Sequence, residues 1–263
     1  MRYLDRLLLA AMFFACASVA FAQAQMPPAL LFKETWLQPP GAKPFGQGDG
    51  TDDVVTRLTA ANLPIVVKNK QLELHVYGKD GYLVRTAQHQ GRNDLWSGMA
   101  TTPIAVTLRD KGNYLDLTGL ARVRWIVRTN SVSALHPIAK LADGTYIVAR
   151  RAVETNGEFL SVDLSFNDLK WFKLDPEKVL PSVEVKNPDL SKVDEIGMAF
   201  LAPGGGHGTA SSINLSDVEV YAKAVPRWAE RENPLFCEEA LGEAALAADR
   251  SSSRSREYED RPP

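Results

Sequence analysis

The stretch RVRWIVR, residues 122–128, alternates charged and apolar side chains along its length. Successive side chains of a β-strand point to opposite faces. Val123, Trp125 and Val127 therefore share one face, and the three arginines share the other with Ile126. A strand of this kind covers a core with one face and meets water with the other, as in an antiparallel sheet. The stretch predicts such a strand.

Similar short segments recur along the chain. Residues 72–77 (LELHVY) alternate in the same way, and residues 137–141 and 146–149 flank Asp143-Gly144, which is a hairpin signal. Further predicted strands are residues 30–36, 104–108, 160–164, 196–201 and 213–221, the last with a bulge near Ser216. Helical periodicity is almost absent. The pattern predicts an all-β protein, an antiparallel β-sandwich or barrel over residues 29–223.

The N-terminus has the layout of a secretory signal peptide. Arg2 and Arg6 precede an apolar run over residues 7–17, and Ala20-Phe21-Ala22 is a cleavage signature. The run of about eleven apolar residues is shorter than the ~20 that span a bilayer. We expect cleavage after Ala22 and a secreted or periplasmic chain without a transmembrane segment. Lipidation at Cys16 is disfavoured because bulky phenylalanines precede it.

The C-terminal region has a different composition from the strands. Residues 235–248 are rich in Ala and Glu, which predicts one short helix. Residues 251–263 (SSSRSREYEDRPP) are charged and have no aliphatic side chain, so they are predicted to be disordered. We therefore assign residues 224–263 to an irregular tail outside the sandwich.

Charge and cysteine content exclude some classes of protein. The whole sequence has 30 basic and 32 acidic residues; without the two arginines and one aspartate of the signal it has 28 and 31, a net charge of −3. This balance gives no electrostatic case for nucleic acid as a partner. Cys237 is then the one remaining cysteine, so an intrachain disulfide is excluded and the core must hold the domain together.

Several segments together resemble a known fold family. An Asp-Leu-Thr-Gly turn at residues 116–119 precedes the arginine-bearing strand, Val-Asp-Glu-Ile follows at residues 193–196, and the last strand ends in Val-Glu-Val-Tyr at residues 218–221. This order resembles galactose-binding-like jelly rolls, including carbohydrate-binding modules and the complex-I-intermediate-associated-protein-30 type, over residues 114–221. The resemblance implies a jelly roll that binds its ligand at loops or on a concave face. A fold alone does not name the ligand.

The arginine-bearing strand is the first candidate binding site. Guanidinium groups bind carboxylates or sulfates through two parallel hydrogen bonds. Arg124 and Arg128 would therefore suit an anionic glycan, with Lys140 of a following strand added if the register allowed. The alternative is a solvated face on which Asp and Glu from neighbouring strands balance the arginines.

The second candidate is the polar loop at residues 88–98, which surrounds Trp96 with His89 and Asp94. Sugars favour an aromatic face for their C–H patch and polar groups for their hydroxyls. Trp171 is a second ring that could stack on a sugar. The alternative is that Trp96 starts a strand and packs into the core.

Two glycine-rich or acidic loops complete the candidates. In the segment 203–208 (PGGGHG), backbone amides could bind an anion and His207 could transfer a proton. The alternative is a flexible connection between strands. Asp49, Asp52 and Asp53 form a weak candidate for a structural calcium ion. We expect no other cofactor or metal.

Export, the sandwich pattern and the arginine row favour a non-catalytic carbohydrate-binding protein. A secreted glycan hydrolase or lyase on the same scaffold is the second hypothesis, and it requires His89, Asp94 or His207 in one pocket beside the arginines. The third is an envelope domain that binds another protein. No Gly-x-Ser-x-Gly motif and no Glu-x-Asp-x-x-Glu motif of the laminarinase-like family occurs, so the sequence names no reaction and leaves catalysis open.

Overall fold

The computed structural model describes residues 26–38, 63–89, 91–98, 100–129, 133–203 and 212–227. The predicted signal peptide, the C-terminal tail, the acidic loop with Asp49, Asp52 and Asp53, and His207 lie outside these ranges. Within them, no helix is both long enough and apolar enough to span a membrane.

In the described residues, fifteen strands form two sheets. Sheet I contains β1 (Leu30–Glu34), β3 (Arg85–His89), β4 (Arg92–Trp96), β7 (Arg122–Thr129), β10 (Leu160–Leu164) and β14 (Ile213–Tyr221). Sheet II contains β2 (Leu72–Tyr77), β5 (Ile104–Asp110), β6 (Asn113–Asp116), β8 (His136–Leu141), β9 (Tyr146–Ala149), β11 (Trp171–Asp175), β12 (Leu180–Val185), β13 (Val193–Phe200) and β15 (Lys223–Pro226). One helical turn, α1 (Leu63–Val66), precedes β2.

The strand order of each sheet differs from the order along the chain. Sheet I runs β10-β7-β14-β4-β3, with β1 beside β14. Sheet II runs β12-β11-β9-β8-β13-β5-β2, with β6 beside β13 and β15 beside β6. Each of these pairs is antiparallel. The predicted class, an all-β antiparallel sandwich, is confirmed.

The core lies between the two sheets. In β7, Val123, Trp125 and Val127 are 0% exposed, while the arginines between them are half-buried. Ile196 and Met198 of β13 belong to the same apolar cluster as these three side chains. The alternation of residues 122–128 thus has the predicted consequence of one buried and one solvated face.

The register of β14 contains the predicted bulge. Its pairing with β7 shifts between Leu215 and Asp217, so Ser216 is the extra residue. The Ser216 hydroxyl donates to the Asn93 carbonyl at 3.1 Å. A bulge leaves one residue unpaired in the ladder and bends the strand. Here the unpaired residue, Ser216, forms a side-chain hydrogen bond to the neighbouring strand β4.

Two expectations about local structure need correction. Residues 88–98 are not a loop: they form most of the β3–β4 hairpin, which turns at Gly91 with φ 75°. Its strands are polar and lack the alternation that predicts a strand, so pairing with β14 organises them. Lys140 does not extend the arginine row, because β8 belongs to sheet II and β7 to sheet I. The strand Lys223–Pro226 pairs with β6 and so belongs to sheet II.

Candidate functional site

The arginine row, Arg122, Arg124 and Arg128, lies on the outer face of sheet I. Arg124 donates from Nε and Nη2 to the Asp163 carboxylate, both at 3.0 Å. The hydrogen bond to Asp163 is the main reason that the pKa of Arg124 is raised. The Arg122 guanidinium lies 4.3 Å from the centre of the Tyr221 ring. For these two arginines the structure favours the solvated, internally balanced face over a ligand site.

Trp96 and Asp94 lie on the same outer face, in β4. Trp96 is half-buried, and the Arg85 guanidinium lies 5.5 Å from its ring centre. Asp94 is 0% exposed and accepts a hydrogen bond from Asn214 Nδ2 at 2.8 Å. Asp94 therefore positions a neighbouring side chain and is not open to a ligand. His89 ends β3, but its side chain is outside the described part of the structure.

Trp171 is a core residue, so the prediction that its ring stacks on a sugar is wrong. The side chain is 2% exposed, and its Nε1 donates to the Phe166 carbonyl at 3.2 Å. Its ring packs against the Phe166 ring at 5.3 Å between centres. The predicted calcium ligands Asp49, Asp52 and Asp53, and the candidate His207, lie outside the described residues.

A second cluster, which the sequence did not predict, lies on the outer face of sheet II. We call Tyr77, Tyr146, Glu195, Lys140 and His75 the tyrosine cluster. Tyr77 Oη donates to Glu195 Oε2 at 2.7 Å and lies 3.0 Å from Tyr146 Oη. Lys140 Nζ donates to Glu195 Oε1 at 2.9 Å, and His75 Nδ1 lies 3.1 Å from Glu195 Oε2. One carboxylate thus contacts three polar side chains of the cluster directly, and Tyr146 joins them through Tyr77.

Strand pairing brings these residues together from four strands, β2, β8, β9 and β13, with β5 lying between β13 and β2. Glu195 of β13 pairs with Lys140 of β8, which pairs with Tyr146 of β9. On the other side, His75 of β2 pairs with Thr107 of β5, whose hydroxyl also donates to Glu195. Directly opposite residues share a sheet face. The cluster therefore follows from the order β9-β8-β13-β5-β2.

The cluster borders an apolar floor on the same face. This floor consists of small and branched side chains that form a second apolar cluster, separate from the main core: Ala105, Ile138, Val148, Leu174, Val179 and Ala199. Tyr77, Tyr146 and Phe172 are half-buried and pack against it. The six floor residues are at most 3% exposed, so the three half-buried rings that cover them, and not the floor itself, are open to a ligand beside the charged groups.

The buried carboxylate of the cluster is ionised. Burial alone would raise the pKa of Glu195, which is 0% exposed, but His75, Thr107, Lys140 and Tyr77 together lower it to about 2. Burial, followed by the contacts with Tyr146 and Glu195, raises the pKa of Tyr77. Burial opposes the charge of Lys140, yet Glu195 and Asp194 raise its pKa overall. At neutral pH the cluster holds a fixed carboxylate, a fixed ammonium and a neutral tyrosine.

Positive and negative groups are equal in number around the cluster. Asp194 contacts Arg109 at 3.0 Å, Lys140 at 3.1 Å and Arg227 at 2.6 Å. Arg109 also contacts Glu73 at 3.2 Å. The three carboxylates of Glu73, Asp194 and Glu195 thus match the three cations of Arg109, Lys140 and Arg227. In the ranges that the structure covers, no group of three His, Cys, Asp or Glu side chains could hold a metal ion.

A sequence signal for this cluster does exist. Asp194 and Glu195 lie at the start of β13, whose eight residues are all buried. Acidic residues inside a buried strand require partners, because an unpaired buried charge is costly. The sequence does not identify those partners, since they come from strands that are distant along the chain.

Comparisons with known proteins find similar structures but no similar sequence. No protein family and no curated protein matches the chain. Among solved structures, it is similar to the family 11 carbohydrate-binding module from Clostridium thermocellum in complex with a β-1,3-1,4-mixed-linked tetrasaccharide, at 8% identity over 73% of this chain and 98% of that one, with a TM-score of 0.33. It is also similar to a family 29 carbohydrate-binding module, at 12% identity over 58% of this chain and 94% of that one, with a TM-score of 0.31.

A third similar structure is an agarase, at 11% identity over 64% of this chain and 26% of the enzyme, with a TM-score of 0.38. Carbohydrate-binding modules, which the sequence resembles over residues 114–221, are thus among the structures similar to this chain. At these TM-scores the similarities carry no argument about the ligand. The fold assignment rests on the strand pairing of this chain itself.

Proposed function

We propose that this protein is a non-catalytic carbohydrate-binding protein that acts outside the cytoplasm and binds a neutral oligosaccharide on the outer face of sheet II. The observation that carries the proposal is the tyrosine cluster, in which the buried, ionised Glu195 fixes Tyr77 and Lys140 beside an apolar floor. The signal-peptide pattern of residues 1–22 supports the location.

The chemistry of a sugar matches this face. A pyranose ring has an apolar C–H patch and a rim of hydroxyls, so it suits aromatic rings next to fixed hydrogen-bonding groups. Tyr77, Tyr146 and Phe172 provide the rings. Lys140 and His75, with side chains 25% and 35% exposed, provide polar groups that a hydroxyl can reach. Because the network is already hydrogen-bonded, ligand binding would cost little side-chain ordering.

The charge balance favours a neutral ligand on this face. The three cations around the tyrosine cluster, Arg109, Lys140 and Arg227, each contact a carboxylate at 3.2 Å or less. An anionic ligand would have to compete with these carboxylates, and a cationic ligand with the cations. A neutral polar molecule meets hydrogen-bonding groups without that competition.

The protonation states favour binding over catalysis. A general acid needs a pKa near the working pH. Burial opposes ionisation of Asp194 and Glu195, yet hydrogen bonds lower the pKa of both carboxyl groups: those from Arg109, Lys140 and Arg227 for Asp194, and those from the side chains of the tyrosine cluster and Thr107 for Glu195. Neither suits the acid of a hydrolase, which supports the non-catalytic proposal.

The proposal is tested by screening the purified chain against an array of neutral oligosaccharides, together with Tyr77→Phe and Tyr146→Phe. Each variant removes one hydroxyl of the cluster and keeps the ring. We expect at least one glycan to bind, and each variant to weaken it about three- to tenfold, the worth of a typical hydrogen bond.

Tyr82→Phe is the matched control, because Tyr82 is 59% exposed and outside the cluster; its affinity should equal that of the unaltered protein. Melting temperatures confirm that the variants are folded. If no neutral glycan binds, or if all three variants bind equally well, the proposed site is wrong.

A further inference from the structure

We propose that the outer face of sheet I carries a second site, centred on Arg128, that binds the carboxylate or sulfate group of an acidic sugar. This site is on the opposite sheet from the tyrosine cluster and does not depend on it. It takes a different class of ligand, an acidic sugar in place of a neutral one.

Arg128 differs from the other two arginines of its strand because no partner for it lies in the part of the chain that the structure describes. Arg124 is bonded to Asp163, and Arg122 lies on the Tyr221 ring. Within the described ranges, no hydrogen bond or ion pair joins Arg128 to another residue, and its Nε is buried without a hydrogen-bond partner. Residues 130–132 and 204–211, next to β7 and β14 along the chain, contain no Asp or Glu.

The placement of Arg128 suits a ligand site. Its Nε is buried, so the root of the guanidinium is packed into the face, while the residue as a whole is only half-buried. Packing around Nε restricts the side-chain torsions that position the terminal nitrogens. A guanidinium that is fixed before binding loses little rotational freedom when it forms two parallel hydrogen bonds to a carboxylate or sulfate.

The neighbours of Arg128 form a row across sheet I. Arg128 pairs with Asn214 of β14, Asn214 pairs with Trp96 of β4, and Trp96 pairs with Arg85 of β3. These four side chains share one face because directly opposite residues point the same way. The row across β7, β14, β4 and β3 thus consists of a cation, an amide, an aromatic ring and a second cation.

The charge of this row favours an anion. Within the four strands of the row, Asp94 is the acidic residue next to it, and its carboxylate is 0% exposed and bonded to Asn214. Glu158, which precedes β10 on the other side of β7, has a partner of its own. Arg85, Arg128 and Asp94 together leave one positive charge. This surplus contrasts with the balanced surroundings of the tyrosine cluster.

The aromatic ring in the row selects a sugar among anions. Trp96 is half-buried, and the Arg85 guanidinium lies 5.5 Å from its ring centre, so a sugar would contact the part of the ring that Arg85 leaves exposed. An acidic sugar has both an apolar C–H patch and a charged group on the same ring, whereas a free inorganic anion has no apolar patch. Trp96 and Arg128 would contact these two parts on either side of Asn214.

The test is calorimetric titration of the full chain with two acidic probes: tetragalacturonate, which has carboxylates, and sulfated dextran, which has sulfates. We compare Arg128→Gln with Arg92→Gln. Arg92 lies on the same face of sheet I and is paired with Asp217 at 3.4 Å, so both variants remove one positive charge. The probe that binds more tightly identifies the acidic group.

We expect Arg128→Gln to weaken that probe about tenfold and Arg92→Gln less than about twofold, since the lost hydrogen bonds are charge-assisted. Arg128→Lys keeps the charge but not the two-pronged geometry, and should be intermediate. Binding should weaken between about 0.05 M and 0.5 M NaCl, because salt screens exposed charges.

Equal weakening by Arg92→Gln and Arg128→Gln would overturn the site, since the attraction would then be unspecific. Failure of both probes to bind the unaltered protein would overturn it as well. Binding of a neutral oligosaccharide in the same variants separates this inference from the proposed function: it should be unchanged in Arg128→Gln and reduced only in the tyrosine variants.

Discussion

Among single residues, Glu195 has the largest influence on the chemistry of sheet II. Its carboxylate is 0% exposed and has contacts with Tyr77, Thr107, His75 and Lys140. Removing a carboxylate from water costs several kcal/mol unless hydrogen bonds and a counter-charge replace the solvent. Here both are present, so the carboxylate is stable where an apolar side chain would be expected.

Replacing this carboxylate should reveal how much the network contributes to stability. For Glu195→Gln we expect the free energy of unfolding at neutral pH to fall by about 3 kcal/mol, the range found when one partner of a buried ion pair is removed. The measurement is urea unfolding followed by circular dichroism. Glu73→Gln is the control: Glu73 is 39% exposed, and its loss should cost less than about 1 kcal/mol. Equal losses in the two variants would contradict the network.

The same residue predicts a pH dependence. The pKa of Glu195 falls from 4.5 to about 2 on folding. A lowered pKa means that the folded state favours the ionised form, so the stabilisation is complete above pH 4.5 and disappears as the pH falls toward 2. The stability difference between the unaltered protein and Glu195→Gln should therefore shrink over this window in acid unfolding titrations. A constant difference from pH 5 down to about 2 would contradict the assignment.

At the scale of elements, β13 is the strand on which sheet II depends. All eight of its residues are buried, and it pairs with β5 on one side and β8 on the other. At Gly197 a Cβ atom would lie 1.9 Å from the Val106 carbonyl oxygen and 2.7 Å from Thr107 Cα. The partner strand therefore approaches too closely for any side chain at this position.

Gly197→Ala should separate β13 from β5. Because the clashing atoms are backbone, a side-chain rotation does not relieve them, and we expect a loss of about 3 kcal/mol or more in unfolding free energy. At Gly112 the nearest atom to an added Cβ is Asp110 Oδ1 at 3.6 Å, so Gly112→Ala should change stability by less than about 0.5 kcal/mol. Thermal unfolding of both variants checks the pair. A folded Gly197→Ala with unchanged stability would refute the close approach.

Strands with a regular alternation could be predicted from the sequence. Three predicted strands begin and end at the same residues as the observed ones: 72–77 for β2, 160–164 for β10 and 213–221 for β14. The strands that were missed have polar or mixed residues: β3 reads RTAQH and β4 reads RNDLW. The edge strand β12 has five exposed residues out of six and contains Pro181. Pairing with a neighbour, rather than local pattern, decides the conformation of such segments.

The candidate sites could be predicted only in part. The arginine row was placed on the correct kind of face because alternation fixes which side chains share a face. Its partners, Asp163 and Glu219, come from β10 and β14, whose positions beside β7 depend on strand order. The tyrosine cluster could not be predicted for the same reason. The role of Trp171 was predicted wrongly because the sequence does not show whether this tryptophan lies on the core-facing or the solvent-facing side of its strand.

At the scale of the whole molecule, one apolar core joins two outer faces of different chemistry. The main apolar cluster contains Leu95, Trp125 and Leu215 of sheet I together with Leu74 and Ile196 of sheet II. Unfolding of one sheet would therefore expose the apolar inner face of the other sheet to water. The outer faces carry a charge-balanced tyrosine cluster on sheet II and the Arg128 row on sheet I.

The shared core predicts a single cooperative unfolding transition. Trp36, Trp125 and Trp171 are all at most 2% exposed, so tryptophan fluorescence reports on the core, while far-ultraviolet circular dichroism reports on the sheets. The two signals should give the same midpoint in urea, as for a two-state domain. Two separate midpoints would show that the sheets unfold independently, contrary to a common core.

Whether a neutral sugar binds at the tyrosine cluster can be seen in a crystal structure of the protein with its tightest-binding neutral oligosaccharide. We expect a sugar ring within about 4 Å, the range of a direct contact, of the Tyr77 or Tyr146 side chain, with a hydroxyl hydrogen-bonded to Lys140 or His75. A neutral sugar bound elsewhere on the molecule, with the cluster empty, would contradict this expectation.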